Sequence, residues 1–217
     1  MTIRVLIADD DPLVRRALSF FVEDAADLAL IGEAADGAEA IARCRDLRPD
    51  VVLMDIRMPG TDGLAAIEVL ARELPDVRVI AVTTYASDET VLGALLAGAV
   101  GFLVKDTDPD QIVAAVRAAH EGGFVLSPAV ARELVQSVAA TVRAPQPLSP
   151  IEAVSERERD VISLVARGLS NAEIARELFL AEATVKSHLR RIMLRWKARD
   201  RTQVLIRAVR AGLVRLD

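Results

Sequence analysis

Five short apolar runs rich in β-branched residues recur through the first 120 residues and alternate with segments of helical periodicity. Runs that are apolar at nearly every position are typical of strands buried on both faces of a sheet. Strands that alternate with helices form a parallel sheet joined by right-handed crossovers. The pattern predicts a doubly wound α/β domain with a parallel five-stranded sheet, its strands at residues 3–8, 28–32, 51–54, 77–82 and 100–104.

The first helical segment shows how these helices are expected to begin and pack. Asp11 is the predicted N-cap, and Pro12 stands at the first helical position, where its missing N–H has no helical partner to lose. One face, directed at the core, is predicted to carry Leu13, Ala17, Leu18 and Phe21.

A proline-rich octapeptide at residues 143–150 divides the chain, after a helix-like stretch at 128–142. Three prolines in eight residues cannot continue a helix, so the octapeptide is predicted to be a semi-rigid linker. The expected organisation is a first domain at 1–121, a connecting helix and linker at 122–151, and a second domain at 152–217.

The second domain has helical periodicity throughout. Ser155 with Glu158, and Ser170 with Glu173, have capping-box spacing and predict helices at 156–167 and 171–178. A break at 179–181 precedes a third helix that runs to about residue 197, and a fourth is expected at 201–211. Helix, short turn and helix in a small all-α domain predict a helix-turn-helix.

Charge is distributed unevenly between the two parts. Residues 1–150 carry 13 basic and 23 acidic residues, whereas residues 151–217 carry 14 basic and 9 acidic residues. The basic part is therefore the candidate for nucleic-acid binding, although chance variation would account for the imbalance equally well. A single cysteine, Cys44, excludes an internal disulfide, and the longest uncharged apolar stretch, residues 90–104, is too short for a membrane span. A cytoplasmic protein without membrane contact is expected.

Polar residues follow the predicted strands and suggest a site. Asp9 and Asp10 follow the first strand, Asp55 the third, Thr83 the fourth and Lys105 the fifth. The carboxyl ends of parallel strands form the usual ligand crevice, and clustered carboxylates need a cation such as Mg²⁺. Singly, each residue fits an ordinary structural role at least as well, because an aspartate can cap a helix, Asp55 can open a turn and Lys105 can be solvated.

The motifs at these positions resemble those of the receiver domain of bacterial response regulators. They are Ala8-Asp-Asp10, Met54-Asp-Ile-Arg-Met-Pro-Gly60, Val82-Thr-Thr84 and Gly101-Phe-Leu-Val-Lys105. The resemblance implies a flavodoxin-like fold with Asp55 as phosphoacceptor for a sensor histidine kinase. It also implies Mg²⁺ or Mn²⁺ held by Asp10, Asp55 and the main-chain carbonyl of Arg57, with Asp9 helping through water and Lys105 contacting the phosphoryl group.

The same resemblance assigns a switch to Thr83 and Phe102. The Thr83 hydroxyl would move toward the phosphoryl group, and the ring of Phe102 would follow into the vacated space. Phe102 lacks the hydroxyl of a tyrosine, so a switch that needs a hydrogen bond from this ring is excluded. Such a protein accepts a phosphoryl group on its own aspartate and is otherwise not an enzyme, apart from slow autodephosphorylation.

The third helix of the second domain is predicted to have two faces. Val185, Leu189, Ile192 and Trp196 should face the core, leaving Lys186, Ser187, Arg190 and Arg191 outside. Seven basic residues lie between Lys186 and Arg201, and only Asp200 opposes them. A basic outer face fits the major groove of DNA, although a solvated basic face is common on any helix.

Residues 152–214 resemble the helix-turn-helix domain of the NarL/LuxR family through four motifs: Ser155-Glu-Arg-Glu158, Gly168-Leu-Ser-Asn-Ala-Glu-Ile-Ala175, Thr184-Val-Lys-Ser-His188 and Asp200-Arg201. This implies a transcriptional regulator that binds double-stranded DNA, with Thr184, Lys186, Ser187, Arg190 and Arg191 as contact residues. Because helix-turn-helix dimers usually bind two-fold related half-sites, a homodimer on DNA is expected, built from receiver surfaces and the last helix. Two departures stand out: Ala181 replaces the usual capping serine, and Trp196 replaces the usual leucine.

Two alternative interpretations stay open. Asp9-x-Asp11 after an apolar strand resembles the motif of aspartyl-phosphate hydrolases of the haloacid dehalogenase class, with Asp9 as nucleophile; this leaves Asp55 and the second domain without a role. Alternatively, the first domain is a receiver that regulates without being phosphorylated.

Overall fold

The computed structural model describes residues 2–84, 88–123 and 153–214, together with residues 135, 136, 138, 139, 148 and 149. It divides into two compact units, Met1–Val125 and Leu126–Asp217. The predicted helix at 128–142 and the linker at 143–150 lie almost entirely outside the described residues.

The first unit contains a five-stranded parallel sheet, as predicted. The strand order is β2-β1-β3-β4-β5, so the chain reverses direction across the sheet after β2. Strand β3 is buried along its whole length, whereas the edge strand β2 is half-buried. The strands are β1 (Ile3–Ala8), β2 (Leu28–Ala34), β3 (Val51–Asp55), β4 (Arg78–Thr83) and β5 (Gly101–Val104).

Five helices connect and flank the strands: α1 (Pro12–Asp24), α2 (Gly37–Leu47), α3 (Gly63–Glu73), α4 (Asp88–Ala97) and α5 (Pro109–His120). Four begin at an aspartate whose side chain accepts a hydrogen bond from a main-chain N–H of the first turn. These N-cap residues are Asp11, Asp36, Asp62 and Asp108. Helix α1 packs beside α5, while α2 packs on α3 and α3 on α4, as a doubly wound sheet requires.

The predicted apolar face of α1 is partly wrong. Leu13 is 78% exposed and Ala17 is also exposed, so neither faces the core. Leu18 and Val22 are buried, and Val14 and Phe21 pack against the same cluster. The stripe that meets the sheet is therefore rotated by one position at its start, because Val14, one turn before Leu18, is the side chain that reaches the sheet.

The second unit contains four described helices: α6 (Glu156–Ala166), α7 (Asn171–Glu177), α8 (Glu182–Trp196) and α9 (Arg201–Arg210). Both predicted capping boxes are present, at Ser155 and Ser170. The apolar cluster of the unit joins α6, α8 and α9 through Ile162, Ile192, Trp196, Val204 and Ala208. The predicted all-α architecture and its helix boundaries agree with the structure to within one residue.

Candidate functional site

Three carboxylates meet at the edge of the sheet where β1 and β3 end. Asp9 directly follows β1, Asp10 is the next residue, and Asp55 is the last residue of β3. One carboxylate oxygen of each residue lies within 4.8 Å of the others. Asp9 and Asp55 are buried and Asp10 is exposed, so the cluster opens to solvent on one side. The structure thus brings together the three acids that the sequence singled out.

Lys105, which follows β5, supplies positive charge to this pocket. Its Nζ atom lies 2.6 Å from Asp9 Oδ2 and donates a hydrogen bond of 2.9 Å to Asp55 Oδ2. The main-chain N–H of Lys105 donates to the carbonyl of Thr83 at 2.8 Å, which fixes the end of β5 beside the end of β4. A single ammonium therefore serves two carboxylates that are themselves next to Asp10.

Burial and charge shift two pKa values in the pocket. Burial raises the pKa of Asp9 above its ordinary value of 3.8, and the charge of Asp55 adds to the increase; hydrogen bonds from Lys105 and Asp11 oppose it without reversing it. Burial lowers the pKa of Lys105, but its hydrogen bonds and charge interactions with Asp55 and Asp9 outweigh burial and leave the pKa above 10.5. The ammonium is charged at neutral pH, and a further cation would favour the ionised form of Asp9.

The donor set of the cluster suits a hard divalent cation. Carboxylate and carbonyl oxygens are the ligands that Mg²⁺ prefers, and the solvent-exposed side at Asp10 leaves space for bound waters. The main-chain N–H of Arg57 donates to Asp55 Oδ1 at 3.2 Å, which places the backbone of Arg57 beside the carboxylate. The side chain of Arg57 is exposed. The residues present therefore fit a metal ion of this class.

Thr83 and Phe102 lie on the same face of the sheet. Thr83 is the last residue of β4 and is buried, with Val104 as its register partner in β5. Phe102 pairs with Ala81 and is half-buried. Because side chains alternate along a strand, Ala81 and Thr83 share a face, and so do their partners Phe102 and Val104. The register thus places the ring of Phe102 on the side of the sheet to which Thr83 points.

Gly63 shapes the pocket, although it was not among the residues predicted from the sequence. A Cβ atom on Gly63 would lie 1.9 Å from the carbonyl oxygen of Asp55, a distance that no side chain tolerates. The N–H of Gly63 donates to the carbonyl of Ile56 at 2.9 Å, so α3 begins against the end of β3. The signal was present as Asp62-Gly63, an N-cap residue followed by glycine at the first helical position.

Helix α8 has the two faces that its sequence predicts. Val185, Leu189, Ile192 and Trp196 are all buried. The opposite surface exposes Lys186, Ser187, Arg190 and Arg191, while Thr184 in the first turn is half-buried. Lys186 is also within 3.4 Å of Glu182 one turn earlier. The structure leaves four of the five proposed DNA-contacting side chains on one accessible surface.

The start of α8 confirms the first departure noted in the sequence. Ala181 occupies the N-cap position with φ −73° and ψ 145°, and no side chain caps the helix there. Just before it, Phe179 is 96% exposed and adopts φ 52°, a left-handed conformation that is unfavourable for a bulky residue. Thus no side chain caps the start of α8, and the turn before it holds a bulky residue in an unfavourable backbone conformation.

Three of the seven basic residues between Lys186 and Arg201 are engaged within the protein. Arg195 donates to both carboxylate oxygens of Glu158, at 2.8 and 3.1 Å, and Arg199 donates to Asp200. Arg201 is buried and donates to the carbonyl of Leu169; burial lowers its pKa to about 10. Glu158 lies 37 residues from Arg195, so sequence spacing could not reveal this pair. The exposed basic surface is correspondingly smaller.

His188 belongs to the packed side of α8 as much as to its surface. It is half-buried, and its Nδ1 atom lies 3.1 Å from a guanidinium nitrogen of Arg191. Burial, followed by the charge of Arg191, lowers the pKa of His188 below 6.5. The imidazole is therefore neutral at neutral pH and helps to orient Arg191.

Two family models match this chain. The model of the response regulator receiver domain matches residues 5–117, and that of bacterial regulatory proteins of the luxR family matches residues 152–208. Within the described residues, no helix is long and apolar enough to cross a membrane.

Curated relatives match over nearly their full length. The uncharacterized transcriptional regulatory protein YxjL of Bacillus subtilis is 37% identical over 98% of this chain and 97% of its own. The transcriptional regulatory protein LiaR of the same organism is 37% identical over 98% and 99%. The response regulator protein VraR of Staphylococcus aureus is 35% identical over 99% and 100%.

Solved structures give the same result. The response regulator ChrA of a heme-sensing two-component system is 36% identical, with a TM-score of 0.52 over 98% of this chain and 99% of its own. The receiver domain of the putative response regulator NarL from Mycobacterium tuberculosis is 35% identical, with a TM-score of 0.55 over 56% of this chain and 98% of its own. The chain therefore belongs to the response regulators of two-component systems, as a transcriptional regulator that joins a receiver domain to a LuxR-type DNA-binding domain.

Proposed function

We propose that Asp55 accepts a phosphoryl group from a sensor histidine kinase and that this event controls DNA binding by α8. The observation that carries the proposal is the placement of Asp55, whose buried carboxylate lies at the end of β3, 2.9 Å from the Lys105 ammonium and within 4.8 Å of two further acids. A carboxylate so placed can act as a nucleophile, while the ammonium can receive negative charge on phosphoryl oxygens.

In the proposed transfer, a carboxylate oxygen of Asp55 attacks the phosphorus of a phosphohistidine on the kinase. The new O–P bond forms as the P–N bond breaks, and the electron pair returns to the imidazole nitrogen, which takes up a proton. Lys105 changes its partner from Asp55 to the phosphoryl group while keeping its contact with Asp9. The protein turns over no other substrate, and slow hydrolysis of its own acyl phosphate would reset it.

Asp10, Asp55 and the main-chain carbonyl of Arg57 would hold Mg²⁺ or Mn²⁺, with Asp9 acting through water. Bound there, the ion would neutralise charge shared between the carboxylates and the incoming phosphoryl oxygens. The carboxylate cluster and the backbone of Arg57 beside Asp55 support this assignment.

Thr83 and Phe102 would transmit the change. The phosphoryl group brings roughly −1.5 to −2 charge, which attracts the hydroxyl of Thr83 at the end of β4. Phe102 shares that face of the sheet and is only half-buried, so its ring is not locked in the core, and we propose that it follows the Thr83 hydroxyl. The result is a different surface around β4 and β5.

The DNA-contacting residues proposed are Thr184, Lys186, Ser187, Arg190 and Arg191. They fit a helix that enters the major groove, and helix-turn-helix proteins usually bind two-fold related half-sites, so a homodimer on DNA is part of the proposal. A bacterial cytoplasmic location, where both DNA and the kinase's phosphorylated histidine are accessible, completes it.

Mass spectrometry of the intact protein after treatment with phosphoramidate and Mg²⁺ tests the phosphoacceptor. We expect one phosphoryl adduct on the wild type and on Arg16→Gln, a substitution of an exposed residue of α1, and none on Asp55→Asn. An adduct that persists in Asp55→Asn and disappears in Asp9→Asn would favour the hydrolase interpretation instead. No adduct on any form would favour a receiver that regulates without phosphorylation.

The salt dependence of DNA binding tests the second half of the proposal. Each phosphate contact contributes about 0.9 to the slope of log affinity against log salt. We expect Arg190→Ala and Arg191→Ala each to reduce the slope for a nonspecific duplex, whereas Arg16→Ala, which removes the same charge from the receiver, should leave it unchanged. Equal slopes for all four proteins would exclude α8 as the DNA-contacting helix.

A further inference from the structure

Arg15 on α1 contacts the acidic pocket through the backbone of its loop rather than through its carboxylates. Its Nη1 atom donates to the main-chain carbonyl of Asp9 at 2.6 Å and to that of Asp10 at 3.2 Å. The side chain of Arg15 is only 19% exposed. Both carbonyls of the turn between β1 and α1 are thereby fixed to one guanidinium.

Glu33, near the end of β2, holds this guanidinium from the other side. Its Oε2 atom lies 3.4 Å from Nε of Arg15. The hydroxyl of the buried Ser19 lies 2.9 Å from Oε1 of Glu33 and 2.8 Å from the main-chain carbonyl of Arg15, so it can donate to either. The contacts form a continuous path from β2 to the loop that carries Asp9 and Asp10.

This arrangement has a consequence for the carboxylates themselves. A guanidinium that bound them directly would occupy the oxygens that a metal ion needs, as Lys105 does in part. By binding the carbonyls, Arg15 restricts the backbone without occupying the carboxylate oxygens. The guanidinium contacts both carbonyls through Nη1 and Glu33 through Nε, and a lysine side chain has a single nitrogen that cannot replace both of these in their fixed geometry.

We propose that Arg15, supported by Glu33, is a positioning residue that holds Asp9 and Asp10 in place for a divalent cation. The inference rests on the proposed metal site at Asp9, Asp10 and Asp55. A positioning role can be distinguished from a purely electrostatic one, because a cationic side chain near a metal site affects metal affinity in two opposite ways. Its charge repels the metal ion and weakens binding, whereas its hold on the ligand loop strengthens binding.

Isothermal titration calorimetry of the full-length protein with MgCl₂ measures the Mg²⁺ affinity and separates these two effects. We expect Arg15→Gln and Arg15→Lys both to bind Mg²⁺ about tenfold more weakly than the wild type, as loss of an outer-shell contact typically does. Glu33→Gln should also weaken Mg²⁺ binding, but by less than the Arg15 substitutions. Arg16→Gln removes a charge from the next, exposed position of α1 and should not change the affinity. Circular dichroism in metal-free buffer checks that each variant is folded.

Three results would overturn the proposal. Tighter Mg²⁺ binding by Arg15→Gln, with Arg15→Lys unchanged, would mean that Arg15 acts only through its charge. A lower melting temperature with unchanged Mg²⁺ affinity would mean that it is structural only. A wild type that does not bind Mg²⁺ would contradict both this inference and the proposed metal site, whereas Mg²⁺ binding without phosphorylation of Asp55 would contradict the proposed function alone.

Discussion

Asp9 in the first unit and Glu158 in the second are both buried carboxylates with a cation close by, yet their pKa values move in opposite directions. Asp9 lies 2.6 Å from Lys105 and its pKa is raised; Glu158 lies 2.8 Å from Arg195 and its pKa is lowered. Burial alone would raise both values. The difference lies in the remaining neighbours.

The negative charge of Glu158 is stabilised by several groups of the protein. Besides burial, which raises its pKa, it accepts hydrogen bonds from Arg195 and from the main-chain N–H of Ser155, and these prevail. Asp9 shares one ammonium with Asp55, whose charge raises its pKa further. The carboxylate of Glu158 thus belongs to a balanced ion pair, whereas that of Asp9 belongs to a pocket with more negative than positive charge. Binding sites commonly sacrifice stability in this way.

Breaking the balanced ion pair should have the largest effect. Arg195→Met leaves Glu158, only 3% exposed, without its cation, and should lower the free energy of unfolding by about 3 kcal/mol. Trp196 is the only tryptophan of the chain and is buried in this unit, so its fluorescence during urea unfolding measures the change. Arg190→Met, on the exposed face of the same helix, should cost less than about 0.5 kcal/mol. Equal losses for both variants would contradict the role given to the pair.

Low pH should remove part of the stabilisation that the Glu158–Arg195 pair provides. Because the folded pKa of Glu158 is lowered, its contribution is present above its ordinary pKa of 4.5 and is lost as the pH falls through the folded value. The Trp196-detected stability of the wild type should therefore fall below pH 4.5 more steeply than that of Glu158→Gln. Parallel profiles for the two proteins would show that this carboxylate is not responsible.

Relieving the pocket should give a change of the opposite sign. Since the folded pKa of Asp9 is raised, its ionised form disfavours the folded state at neutral pH. Asp9→Asn should raise the stability of the receiver by about 1 kcal/mol while weakening Mg²⁺ binding. Urea unfolding followed by circular dichroism, with and without MgCl₂, measures both. A destabilised variant would show that the pair with Lys105 outweighs the burial of Asp9.

The smallest expected effect concerns the uncapped helix α8. Ala181 has φ −73° and ψ 145°, the backbone conformation of an N-cap residue, so a serine at this position could cap the helix without a change of backbone. Ala181→Ser should stabilise the second unit by about 1 kcal/mol or less, measured by Trp196 fluorescence. Ala183→Ser, two positions later in the first turn, is a matched control that should bring no gain. No difference between the two would place the start of the helix elsewhere.

Local patterns in the sequence were enough to predict most of the fold. The apolar runs indicated all five strands, with β1 correct at both ends, because buried parallel strands are apolar throughout. The serine and glutamate pairs located α6 and α7 because a capping box is complete within four residues. The acids and Lys105 were grouped correctly because parallel strands end at one edge, although their roles stay predictions.

What the sequence could not supply were contacts between distant segments. Leu13 was assigned to the core, but which side of α1 meets the sheet depends on how α1 packs beside α5. Arg195 was one of the seven basic residues counted in favour of DNA binding, and its pairing with Glu158 was not foreseen because Glu158 lies 37 residues away in the chain. Arg15 carried no signal because a guanidinium that binds main-chain carbonyls leaves no motif in the side chains around it.

The proposed function is tested most directly by asking whether a phosphoryl group on Asp55 changes DNA affinity. Fluorescence anisotropy of a labelled duplex would be measured with full-length wild type and Asp55→Asn, before and after phosphoramidate and Mg²⁺, with the adduct checked by mass. We expect a change in affinity for the wild type alone. Complete phosphorylation of the wild type with no change in affinity, or an equal change in Asp55→Asn, would contradict the proposed function.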